Sequence, residues 1–155
     1  MNEQQKLDPE ALAQACCDAL FQRDGASRAL GMRIESSAPG AAVVGMTVRA
    51  DMLNGHRTCH GGFIFALADS AFAFACNSYN EANVALGCTI DYVAPARAGD
   101  RLEASASMCE RTGRTGVYNV TVRNQNGATI ALFRGRSYRV RGTVLETLEH
   151  SGEVL

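Results

Sequence analysis

The stretch Met52–Asn80, MLNGHRTCHGGFIFALADSAFAFACNSYN, gathers the residues of this chain best suited to chemistry. Gly61 and Gly62 open an apolar run with helical character, and the first amides of a helix lack intrahelical partners and sit at the positive end of its dipole. Two glycines there let a carbonyl oxygen or a developing oxyanion come close to backbone N–H groups. Asp69 interrupts the same run, among Phe63, Ile64, Phe65, Leu67, Phe72 and Phe74. A carboxylate in such a setting must be paired, reached by solvent or raised in pKa, because unpaired charge is costly to bury. It reads either as a base or nucleophile, or as a structural acid satisfied by Ser70 or a backbone amide. His60 either braces the glycine turn or touches substrate. Asn54, in Asn-Gly, is by itself a turn residue. His56 and His60 have the four-residue spacing of a helical zinc pair, but they lie in a turn and no acid stands where it would orient them, so no metal is expected.

Geometry sets a condition on this chemistry. Gly61 and Asp69 are eight positions apart, about 12 Å along a helix at 1.5 Å per residue. Groups that act on one carbonyl must lie about 3–3.5 Å from it. The simplest solution is a second copy of the chain, with the helix start of one subunit facing the acid of the other across a two-fold axis. A homodimer with two shared sites is therefore expected.

The surrounding elements can be read in turn. Asp8-Pro9-Glu10 is an N-cap, a first-turn proline and a first-turn acid, opening a helix over 8–23. Residues 31–37 and 42–49 form a strand pair turning at Pro39-Gly40, and 84–94 is β-rich up to Pro95. Residues 101–110 alternate, with Leu102, Ala104, Ala106 and Met108 facing inward. Residues 116–123 and 129–140 are two further strands joined at Asn126-Gly127. The acidic tail 143–155, with Glu146, Glu149 and Glu153, is expected to be frayed. The sum is a single α+β domain over 1–155: one long helix wrapped by an antiparallel sheet of about five strands, plus a short N-terminal helix. Phe63, Phe65, Phe72 and Phe74 belong to the core, with one or two lining an acyl pocket.

Composition narrows the function. With 155 residues, a net charge of -1 and a pI near 6.3, the chain carries no basic footprint for nucleic acid. The N-terminus is polar, and Asp69 breaks the longest apolar run below membrane-spanning length, so no membrane partner is expected. The six cysteines (16, 17, 59, 76, 88 and 109) lack CxxC spacing. They read as reduced thiols of a cytoplasmic protein.

The run LNGHRTCHGGFIFALADSAFAFACNS, followed by CTIDYVAPARAGDRLEASA and RTGVYNVTVRNQNGATIALFRGRSYR, resembles the hot-dog-fold acyl-CoA thioesterases, and among them those of phenylacetate degradation. The likeness runs from Asp24 to Arg141. It implies hydrolysis of an acyl-CoA thioester, phenylacetyl-CoA or a hydroxylated form, with no cofactor beyond the CoA of the substrate. By the same resemblance, the Gly61 amide polarises the thioester carbonyl and Asp69 of the partner subunit activates water or attacks directly. Asn54 and His60 would shape the carbonyl side of the pocket, and Gly62 would be the second glycine at the helix start. Arg111, Arg114, Arg134 and Arg136 are candidates for the CoA phosphates. A serine that some relatives carry on the strand after the helix falls at Ala85 here, so that role is not carried over. Asp24 and Leu30-Gly31 fit the pattern as structural residues. Relatives further imply a homotetramer, a dimer of dimers. Two other readings use the same fold: a hydratase or dehydratase shuttling protons between His60 and Asp69, and a non-catalytic acyl-CoA-binding module.

Overall fold

In the computed structural model, which describes residues 7–145, the Asp8 carboxylate caps the first helix by accepting from the Ala11 amide at 2.7 Å. Pro9 occupies the first turn of that helix, α1 (Pro9–Arg23), where its missing N–H costs nothing. Asp24 then ends α1 and caps a single-turn helix, α2 (Gly25–Ala29). Cys16 and Cys17 on α1 are fully buried, and all six cysteines are free thiols.

Six strands follow: β1 (Arg33–Ala38), β2 (Ala41–Thr47), β3 (Asn83–Tyr92), β4 (Arg101–Thr112), β5 (Thr115–Arg123) and β6 (Thr129–Arg139), with the long helix α3 (Gly61–Cys76) between β2 and β3. Each stretch read as a strand forms one, so the sheet has six strands. It is antiparallel throughout, in the order β1-β2-β4-β5-β6-β3. The Asn126-Gly127 turn is made by Gly127 at φ 76, which only glycine adopts freely, and by the Asn124 side chain accepting from the Asn126 and Ala128 amides.

The sheet curls around α3, which packs on β2, β4 and β5. Phe72 is the centre of this contact. Its ring meets Tyr118 at 5.6 Å and Phe133 at 5.9 Å, and it fills the space over Gly135, where a Cβ would stand 2.7 Å from it. Only glycine in β6 lets the helix sit this close.

Two expectations need correction. α3 is not buried on all sides: Gly62 is exposed, and Phe63, Phe65, Ala66, Asp69, Ser70 and Ala73 are only half-buried. The sheet and α1 cover the rest of the helix and leave one flank open. Met108 is 40% exposed, so it does not join Leu102, Ala104 and Ala106 on the inner face. A bulge between Met108 and Glu110 breaks the alternation there. The expected frayed tail beyond residue 145 lies outside the described residues. No helix among the described residues is long and apolar enough to cross a membrane.

Candidate active site

The turn before α3 is built by its own polar side chains. The Asn54 side-chain carbonyl accepts from the His56 amide at 2.9 Å and the Thr58 amide at 3.2 Å, while Asn54 Nδ2 lies 3.2 Å from Thr58 Oγ1. Asn54 is thus a turn brace with one side-chain N–H to spare. His60 is the N-cap of α3, and its Nδ1 accepts from the Gly62 amide at 2.9 Å. This fixes Nδ1 as the unprotonated nitrogen and turns the Nε2–H outward. Of the two glycine amides, Gly62's is therefore engaged. No protein group among the described residues accepts the Gly61 N–H. Gly61 lines an open cleft of about 390 Å³, together with Asn54, Thr58, Ile64, Tyr92 and Pro95 among others.

Tyr92, at the end of β3, donates its hydroxyl to the Gly61 carbonyl at 3.0 Å and so ties the first turn of α3 to the strand. The sequence reading missed Tyr92. It also missed Cys88, whose Sγ lies 4.0 Å from the Asp69 carboxylate and which, rather than Ala85, is the β3 residue in contact with the acid. Burial pushes Asp69 above the usual carboxylate range, and the nearby charge of Asp24 adds to the shift. The Cys88 and Cys76 thiols are raised by burial as well, Cys76 to about 12, so both are neutral near pH 7. Ser70 does not satisfy Asp69; its hydroxyl is turned to Ser27 at 3.1 Å.

These contacts give the site its geometry. α3 is unbroken from Gly61 to Cys76, so Gly61 and Asp69 stay about 12 Å apart in one chain. Cys88 touches Asp69 and Tyr92 touches Gly61, and the four steps from 88 to 92 span about 13 Å of strand. Helix and strand therefore run side by side in opposite directions. β3 is an edge strand, with no described strand paired on its outer side. Val84 and Leu86 on it are 50% and 59% exposed.

The four arginines do not converge. Arg111 bonds Glu81 at 3.3 Å and lies over the Tyr79 ring at 4.0 Å. Arg114 shares a separate cleft with Arg139 and Arg141. Arg134 bonds Asn119, and Arg136 lies against Gly87. Because Gly135 between them faces the helix, Arg134 and Arg136 sit on the outer face of the sheet.

A sheet wrapped around one central helix, with a free amide at the helix mouth, is the hot-dog arrangement. The Thioesterase superfamily profile matches residues 56–131, and the chain belongs to that superfamily. It is 52% identical to acyl-coenzyme A thioesterase PaaI of Escherichia coli K12 over 126 residues, 81% of this chain and 90% of the relative. The structure of the E. coli PaaI protein from the phenylacetic acid degradation operon matches with a TM-score of 0.87 at 48% identity, covering 88% of this chain and 99% of that one. A mutant of the phenylacetic acid degradation protein PaaI from Thermus thermophilus matches at TM-score 0.73 and 47% identity, covering 76% and 100%. A Streptococcus mutans UA159 protein solved bound to acetyl CoA matches at TM-score 0.69 and 27% identity, covering 72% and 90%.

Proposed function

We propose that this chain hydrolyses an aryl-acetyl-CoA thioester, phenylacetyl-CoA or a ring-hydroxylated form, to the free acid and CoA in phenylacetate catabolism. It does so as a cytoplasmic homodimer that pairs into a dimer of dimers, with no metal or redox cofactor. The likeness to E. coli PaaI supports the reaction and the pathway. The observation that carries the reading is the Gly61 amide left unpaired at the mouth of α3, with a carboxylate of raised pKa on the open flank of the same helix.

In the proposed mechanism the thioester carbonyl oxygen accepts from Gly61 N–H, which binds the oxyanion more strongly than the ground-state carbonyl. Asp69 of the partner subunit, ionised, either takes a proton from water as that water attacks the carbonyl carbon, or attacks the carbon itself. The first route gives the acid directly. The second gives an anhydride that water then opens. In both, the C–S bond breaks and CoA leaves as the thiolate, to be protonated by solvent.

The exposed edge of β3 supports the dimer. If two β3 strands pair antiparallel about a two-fold axis near Ile90, Cys88 of one comes opposite Tyr92 of the partner subunit. Asp69 then lies beside Gly61 of the partner subunit, and the exposed Val84 and Leu86 enter the contact. Arg114 is the best placed of the four proposed arginines for a CoA phosphate, since Arg111 is held by Glu81, Arg134 by Asn119, and Arg136 lies against Gly87.

His60 Nδ1 already accepts the Gly62 amide, which disfavours the proton-shuttling hydratase reading. Thiol release measured over a panel of aliphatic and aromatic acyl-CoAs tests the proposal. Fastest release from aryl-acetyl-CoAs is expected, and water addition to an enoyl-CoA without thiol release would overturn it.

A further inference from the structure

Asp24, at the junction of α1 and α2, accepts from the Ser27 amide at 2.9 Å and from the Ser27 hydroxyl at 2.6 Å. The Ser27 hydroxyl lies 3.1 Å from that of Ser70, the residue after Asp69 on α3. Ser27 is 1% exposed, whereas Asp24 and Ser70 are half-buried, Ser70 on the open flank that carries Asp69. A carboxylate only accepts, so the Ser27 proton points to Asp24. Ser27 can then offer Ser70 only a lone pair, and Ser70 must be the donor. The chain has one direction, Ser70 to Ser27 to Asp24, and the face that Ser70 turns to the flank carries lone pairs alone.

We propose that Asp24 and Ser27 are positioning residues that hold Ser70 as a hydrogen-bond acceptor for the hydrolytic water, whose other proton faces Asp69. This rests on the reading of Asp69 as the catalytic base. As the water oxygen bonds the acyl carbon, one of its protons passes to Asp69. The other stays on the new carboxyl group through its bond to Ser70, which itself gains and loses no proton. A free Ser70 hydroxyl would rotate and compete by presenting its own hydrogen to the water. The chain removes that competing orientation.

The titratable groups around Asp69 are Asp24 from the α1–α2 junction, Cys88 from β3 and Cys76 from α3 itself, and burial keeps both thiols neutral near pH 7. This separates orientation from charge. Ser27→Ala keeps the Asp24 charge but frees Ser70, and Ser70→Ala removes the acceptor. Both are expected to lower kcat about 10-fold to 100-fold, with KM and the acid limb of the pH profile unchanged. Ser70→Thr, which keeps the hydroxyl, is expected to restore kcat. Asp24→Asn retains a helix cap but removes the charge, and is expected to move the acid limb to lower pH.

Wild-type kcat in Ser27→Ala and Ser70→Ala, alongside an inactive Asp69→Asn, would overturn the positioning role and leave the hydrolase reading intact. Full turnover in Asp69→Asn would instead overturn that reading. A folded Ser70→Thr that stays as slow as Ser70→Ala would also overturn the role.

Discussion

A shared site can be tested by repairing it with two broken chains. Gly61 is the first residue of α3 and follows a cap at φ -59 and ψ 132, extended backbone that precedes proline readily. Gly61→Pro therefore suits the helix start and removes the Gly61 N–H, for which no protein group among the described residues is an acceptor. Its ring would approach the Tyr92 side chain, 3.1 Å from an added Cβ, but Tyr92 is 51% exposed and can give way. Loss of one oxyanion donor lowers kcat about 10²-fold to 10³-fold, or about 2.7–4 kcal/mol. Asp69→Asn breaks the other half. With Gly61 and Asp69 about 12 Å apart in one chain, each site needs one residue from each subunit. Random exchange of the two variants in equal amounts makes half of the dimers mixed. Each mixed dimer has one intact site and one doubly broken site, so thiol release recovers to about a quarter of wild type. Activity that stays at the sum of the two parents would refute the shared site.

Asp69 has a folded-state pKa above its unfolded one, so between these values the folded chain holds the extra proton and stability falls as pH rises. Asp69→Asn is expected to lack this fall and to melt higher than wild type near pH 7, while wild-type kcat rises through a limb above the usual carboxylate range; both are read from melting curves and rate profiles against pH. His60→Ala frees the Gly62 amide and costs about 1 kcal/mol of stability at the start of α3, whereas His60→Asn, a good cap, regains most of it in urea unfolding. Phe72→Ala, at 1% exposure against Tyr118 and Phe133, is expected to cost about 3–5 kcal/mol in the same assay.

What was legible in the sequence was local. The Asp8-Pro9 cap, the Asn126-Gly127 turn and the alternation of β4 through Ala106 each rest on neighbours in the chain, and each appears in the structure. The glycine mouth and the acid of α3 were visible for the same reason. Sheet order was not, because β3 crosses to the far edge beside β6 and no local pattern encodes that pairing. The arginines scatter because the side of the sheet each one faces depends on register and bulges. Ser27 reaches Ser70 across 43 positions, and Cys88 and Tyr92 meet α3 from a continuous β-rich run whose inner face cannot be told from its outer one. Asp24, read as structural, does cap α2, and its charge also reaches Asp69.

The most direct measurement is thiol release from phenylacetyl-CoA by wild type and Asp69→Asn, with substrate binding followed on the same samples by calorimetry. Asp69→Asn is expected to bind phenylacetyl-CoA about as tightly as wild type and to release no CoA above background. Release at the wild-type rate would contradict the hydrolytic role of this carboxylate.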